Sequence, residues 1–421
     1  MTNEGVGQGT GLGKCLLRIC CLAVAAAACA TVRADSAPLE PDLYQEALRS
    51  LAEGRKSDAN DELQRTIELA PHHAGAWLDL ALIQCELGHA ADAERLFAAI
   101  ETRFSPPPGI KEIITAKRAQ GCKGRQAHSQ TSILIGRGSD SNANQGASSP
   151  NFSIGSGASR IDLELSPDYL PQRDNFVFLA SEYRRELTPN GDVGYVQLRA
   201  RQNDSLSRFD TDSLVVGAEQ PLRLGAWGLR NAASLGALTL GGQLYQRQAQ
   251  VQTRLTPPLA LPEHWQLSLA ASLSHFAYPT QVGYDSNAAE ASVLAAYASA
   301  RWQAQASAGL LSDHRAAAHP GGNRHGWFAG VQGQAQLFDR VKGELGWTRQ
   351  AWVDQFPYSA GIIEQTRHQD TQLARAALIL QLQPSQALQL EWRRIANDEN
   401  ISLFKYASQL LQLSWTWQLV R

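Results

Sequence analysis

From Thr131 onward, apolar and polar residues alternate one by one in runs of about ten, each run ending at turn-forming residues. Leu413, Trp415, Trp417 and Leu419 interleave with Ser414, Thr416 and Gln418. Leu388, Leu390 and Trp392 interleave with Gln389, Glu391 and Arg393, and Trp265, Leu267, Leu269 and Leu273 with Gln266, Ser268, Ser272 and Ser274. Val341, Leu345 and Trp347 alternate with Lys342 and Glu344, and Ile161, Leu163 and Leu165 with Arg160, Asp162 and Glu164. A strand sends successive side chains to opposite faces, so each run carries one apolar and one polar face. A soluble β-sandwich buries the apolar face; a membrane barrel turns it to lipid. Here the polar face is rich in Arg, Glu and Gln, as a wet lumen requires, and Trp and Tyr recur near run ends, as a membrane girdle requires. The reading is an antiparallel transmembrane β-barrel over residues 129–421, with a soluble all-β domain as its rival. No apolar run of about 18 residues marks a helical span.

Connections set the strand count. Short turns are read at Pro189-Asn190-Gly191, Gly225-Ala226, Pro257 to Glu263, Ala300-Arg301, Phe338-Asp339-Arg340 and Pro384-Ser385-Gln386. Loops, mostly longer, are read at 145–174, 204–211, 239–242, 277–288, 312–325, 355–370 and 396–403. Turns and loops alternate, and together they predict fourteen strands, an even number.

Residues 40–120 follow a different period. Gly54, Ala59 and Leu63 recur as Gly88, Ala93 and Phe97 at a spacing of 34 residues, the tetratricopeptide period, and Pro71 recurs one residue late as Pro106. Trp77 and Leu80 take the bulky positions of the second unit. Small Ala59 and Ala93 permit close helix approach, while Leu63 and Phe97 fill the groove between helices. A helix over 109–120 is expected to cap the units after Pro106-Pro107-Pro108. The overall class is therefore α+β and multidomain: a short all-α repeat domain followed by a barrel.

Ahead of the repeats, Lys14 and Arg18 precede an Ala-rich apolar stretch, Ile19 to Ala30. This reads as a secretory signal, residues 1–34, cleaved after Ala34 or after Ala30. Cys15, Cys20, Cys21 and Cys29 fall in that segment, leaving Cys85 and Cys122. In an oxidising periplasm the two can pair or remain buried thiols; the spacing leaves both open.

Chemistry is sparse. Gly136-Arg137-Gly138-Ser139 has no helix after it to make a phosphate cradle. Asp313, His314, His319 and His325 share one proposed loop and read as solvated rather than metal-binding, and His72-His73 read as solvated too. No catalytic residue, cofactor site or metal site is expected. Lys+Arg 38 against Asp+Glu 40 offers no basic excess for nucleic acid.

The stretch Gly138-Ser139-Asp140-Ser141-Asn142-Ala143-Asn144 opens the barrel, and Arg393-Arg394 to Trp417, including Asn397-Asp398-Glu399-Asn400-Ile401 and Tyr406, closes it. With the signal and the repeats, these segments resemble the surface lipoprotein assembly modifier (Slam-type) proteins. Gly138, Asp140, Ser141, Asn142 and Asn144 match that family's opening motif, with Ser139 where an aromatic stands. The resemblance implies a fourteen-stranded outer-membrane barrel of a Gram-negative bacterium, with periplasmic repeats that engage a protein client such as a surface lipoprotein. It also implies insertion by the barrel assembly machinery. The chain departs in ending Leu419-Val420-Arg421 rather than on an aromatic residue, which leaves Trp417 to serve. The functional expectation is assistance to protein translocation or surface display. An exopolysaccharide-export porin and a structural outer-membrane protein are the alternatives.

Overall fold

A computed structural model describes residues 43–122, 127–155, 160–316 and 319–420. The signal reading at 1–34 and its four cysteines lie outside the described residues. Five helices come first: α1 Leu43–Ala52, α2 Lys56–Leu69, α3 Ala74–Glu86, α4 Ala90–Phe104 and α5 Pro108–Gln120. Ala59, Leu63, Leu80, Ala93 and Phe97 are buried at their interfaces. Ala59 and Leu63 pack with Ala47 and Ala76, and Ala93 and Phe97 with Ala81, Cys85 and Ile114. Gly54 and Gly88 hold left-handed backbone, φ +77° and +86°, just past the ends of α1 and α3, where a side chain would strain the chain. Pro71 is exposed in the turn between units, and its carbonyl accepts from Trp77 Nε1 at 3.1 Å. Cys85 and Cys122 are joined by a disulfide, Cα–Cα 4.6 Å, which ties the end of α5 back to α3.

The strands follow. β1 spans Ser129–Asp140; β2 Asn151–Ile154 and β3 Ile161–Glu164 form a separate small hairpin. Then come β4 Asp174–Glu186, β5 Val193–Asn203, β6 Thr211–Leu224, β7 Trp227–Leu240, β8 Gln243–Thr256 and β9 Trp265–Ala277. β10 Ser286–Ala298, β11 Trp302–Arg315, β12 Arg324–Phe338, β13 Val341–Ser359, β14 Ile363–Gln383, β15 Gln386–Glu399 and β16 Tyr406–Val420 complete the wall. All but β2 and β3 form one closed barrel of fourteen strands, in which β1 pairs antiparallel with both β4 and β16. Closure leaves no unpaired edge, the condition for strands to cross lipid.

The outer face is apolar. Leu310 and Leu345 are each 70 % exposed, in company with Leu214, Leu235, Leu273 and Leu413. Exposure on this scale around a closed wall marks a membrane-facing band. Tyr183, Trp227, Trp265, Trp302 and Trp417 gather at the strand ends nearest the repeats, where an interfacial girdle belongs. The chain is an outer-membrane barrel of the Gram-negative type, with its repeats on the periplasmic side.

Three loop readings are corrected. The alternating stretch at 160–165 contributes the hairpin strand β3, outside the wall, because it pairs with β2 rather than with a barrel neighbour. The connection read at 312–325 shrinks to 316–323: Asp313 and His314 lie on β11 and His325 on β12, so they do not share a loop with His319. The loop read at 355–370 shrinks to 360–362, because β13 and β14, 19 and 21 residues long, continue pairing above the membrane through two register shifts.

Candidate functional site: the lumen and its two mouths

The barrel-opening motif gathers at the outer end of the β1–β16 seam. Gly138 and Gly136 face inward beneath the rings of Phe176 and Phe178. A methyl group on Gly138 would lie 2.5 Å from Phe176, and one on Gly136 would lie 2.7 Å from Phe178. Only glycine leaves room for those rings. Asp140 accepts from Arg201, from the Ser408 hydroxyl and from the Asn142 amide. Ser141 Oγ accepts from the Gln409 amide at 2.8 Å. Buried Asn142 uses both ends of its carboxamide: Oδ1 accepts from Gly146 N at 2.7 Å, and Nδ2 donates to the carbonyls of Gly146 and Ala407. Asn144 holds the returning loop through Leu170 O and Gln172 N. The motif therefore staples the first loop to the last strand, a structural task that spacing alone does not announce.

Half of the lumen wall is an ion-pair lattice. Glu391, almost fully buried, accepts from Arg375 at 2.9 Å, from Gln389 at 2.9 Å and from Arg393 at 2.6 Å. Arg375 also binds Glu344 at 2.7 Å. Across the seam, Arg184 meets Glu182 and Glu219, Gln197 donates to Glu182, and Arg230 meets Glu219. Opposite pairs offset one another at these positions, while Arg199, inward on β5 between Gln197 and Arg201, has no ion pair among the described residues.

The other half, β8 to β13, is lined by glutamine. Inward positions alternate as Gln248, Gln250 and Gln252 on β8, then Gln266 on β9, Gln303 and Gln305 on β11, Gln332 and Gln334 on β12, and Gln350 on β13. All are solvent-accessible, and among the described residues none makes a side-chain hydrogen bond. The alternation placed polar residues here; which polar residues share a wall emerges only from the register.

At the outer mouth the loops are knitted together. Ala316 N donates to Asp285 O, Gln355 N to Asn323 O, and Gly155 N to Ile362 O. Ser402 Oγ donates to Asn151 O, and Tyr358 packs on Phe404. Beneath them Arg315, 3 % exposed, binds Asp313 and Asp354, and Arg324 adds a second cation to Asp313. His319 Nδ1 donates to Pro320 O. Burial pushes the His319 imidazole below its usual range, and the nearby Arg315 charge pushes it the same way. Among the described residues, no group of three His, Cys, Asp or Glu is arranged to hold a metal ion.

At the inner mouth the repeats are seated on two neighbouring turns. Arg55, at the N-cap position of α2, gives that helix no side-chain cap. Asn190, from the β4–β5 turn, supplies it instead: its Oδ1 accepts from Ser57 N at 3.1 Å and Asp58 N at 3.3 Å, and its Nδ2 donates to Asp58 at 3.1 Å. Pro189 O accepts from Lys56 N at 3.1 Å. Beside the next turn, at the end of β6, Arg223 clasps Glu53 through two nitrogens. Burial alone would raise the Glu53 carboxyl; hydrogen bonding and attraction to Arg223, then to Arg55, hold it below the usual carboxylate range. Sequence reading missed this seat. Asn190 in a Pro-Asn-Gly segment is fully explained by its turn, and nothing local tells of a helix above it.

A tetratricopeptide repeat family profile matches residues 50–104. No curated protein matches the chain. Among solved structures, the anion-selective porin from Comamonas acidovorans is similar at 9% identity, over 70% of this chain and 100% of that one, with a TM-score of 0.38. The outer membrane channel DcaP of Acinetobacter baumannii is similar at 11% identity, over 69% and 97% of the two chains, TM-score 0.38. A bacterial polysaccharide outer membrane secretin is similar at 7% identity, over 69% and 98%, TM-score 0.38.

Proposed function

We propose that this chain is an outer-membrane translocation factor whose repeats take hold of a protein client in the periplasm and present it to the barrel for passage to the surface. The observation that supports this reading is the seat of the repeats: Asn190 and Arg223 fasten them to the barrel's inner rim, at the entrance to the lumen. Tetratricopeptide units stack into concave surfaces suited to polypeptide ligands. A fourteen-stranded barrel lies between small barrels filled by their own side chains and the roughly 16–18-stranded porins that hold an aqueous channel. Such a lumen suits an extended segment rather than a folded domain. By the family resemblance of the opening and closing segments, the client is a surface lipoprotein. The role needs no covalent chemistry and no cofactor, and insertion would fall to the barrel assembly machinery.

The test is deletion of residues 40–120. The remaining barrel should still assemble, read by heat-modifiable migration in outer-membrane fractions. Display of the client on intact cells should fall. A photo-crosslinking residue at the exposed Leu69 identifies that client in the intact protein. Undiminished display after the deletion would remove the repeats from the mechanism.

A further inference from the structure

We propose that the glutamine-lined half of the lumen is a binding track for uncharged, hydroxyl-bearing chains, that is, neutral oligosaccharides. The inference stands apart from the protein-client reading and does not depend on what the repeats hold.

The argument begins with register. Gln305 pairs with Gln332 and Gln303 with Gln334, and all of them project inward. Gln305 also faces Ala296, whose partner on the other side is Gln266. Paired strands lie about 5 Å apart, so these carboxamides form a contiguous patch rather than scattered points. Gln303, Gln305, Gln332 and Gln334 border a cavity of about 280 Å³ together with Glu344 and Arg375. Nearer the outer mouth, beyond Arg254, Gln252 and Gln250 form a second group on β8 opposite Ser272 and Ser274, with Gln248 above them.

Chemistry selects the ligand. A glutamine side chain offers two donors and an acceptor oxygen, with no charge. A sugar hydroxyl both donates and accepts, so it satisfies a carboxamide in either sense. The formal charges on this wall sum to zero, Arg254 and Lys342 against Glu290 and Glu344, and at its outer end Arg315 and Arg324 pair with Asp313 and Asp354. The carboxylates Glu182, Glu219 and Glu391 on the opposite wall, and Glu344 beside it, are already held by arginines. Among the described residues these amides have no protein hydrogen-bond partner and face the lumen, where a passing solute meets them.

The experiment uses the full chain purified in an amine-oxide detergent, which has no sugar headgroup to compete. Maltohexaose is titrated by calorimetry, and heat-modifiable migration confirms the fold. The wild-type chain should bind saturably. The combined variant Q303A, Q305A, Q332A and Q334A should bind at least about tenfold more weakly. Should that variant fail to assemble, Gln305→Met with Gln332→Met keeps the volume, removes the hydrogen bonds and must show the weakening. No saturable binding to the wild type, or unchanged binding to the folded variant, overturns the proposal. Tighter binding of an unstructured Gly-Ser peptide of similar length would assign the track to polypeptide and overturn the sugar assignment.

Discussion

At the scale of single residues, the opening motif works by excluding atoms and by filling valences. Gly138 is required because the Phe176 ring occupies the space a side chain would take. Gly138→Ala should lower the yield of heat-modifiable barrel, and a second change, Phe176→Leu, should recover part of it. Asn142 acts oppositely, through what its side chain supplies. Asn142→Ala strands the Gly146 amide and the Ala407 carbonyl in a buried site, at a cost of about 1–3 kcal/mol for an unmet buried group. The variant should unfold at lower denaturant than wild type, and an unchanged midpoint would show that water replaces the carboxamide. The motif could be seen in the sequence, but its role could not, because its partners lie on the far end of the chain.

At the scale of elements, the decisive contact is a helix capped by another domain. Loss of a helix N-cap costs about 0.5–2 kcal/mol, so Asn190→Ala should loosen the repeats without disturbing the barrel. Limited proteolysis near 121–128 would report it. The Glu53–Arg223 clasp adds a pH dependence with a definite sign. The Glu53 carboxyl is depressed when docked, so its contribution is present above the free carboxylate value and is lost as pH falls through the docked value. Proteolytic release of the repeats should therefore rise in acid, and Arg223→Gln should flatten that rise. The Cys85–Cys122 bridge ties α5 to the repeats, and a bridge of this kind is worth about 2–4 kcal/mol. Reduction should lower the unfolding midpoint of the repeats while leaving barrel migration unchanged.

At the scale of the whole molecule, topology makes the prediction. β1 starts beside the repeats and ends at the opposite mouth, so every later connection alternates sides. A tag at Gly361, on the open tip of the β13–β14 hairpin, should be reached by antibody on intact cells. A tag at Glu263, in the β8–β9 turn, should be reached only after permeabilisation. The reverse pattern would invert the barrel. The fourteen strands were legible because each wall residue has only two choices, lipid or lumen, and alternation records that choice locally. The outer loops were read too long, because strand pairing above the membrane needs no apolar face and so leaves no alternation to detect. His314 and His325 show the consequence: grouped by sequence proximity, they turn out to be strand residues.

Periodicity by itself determined the repeat helices and the barrel class, since each follows from how polar and apolar side chains partition along a single segment, and the turn-forming residues between the runs determined the strand number. Tertiary structure alone decided where the repeats sit, what the opening motif ties together and how the lumen divides into a charge-locked wall and a glutamine wall. Those depend on register between strands distant in the chain. Partners such as Asp140 and Arg201, or Gln305 and Gln332, are brought together only when the sheet closes.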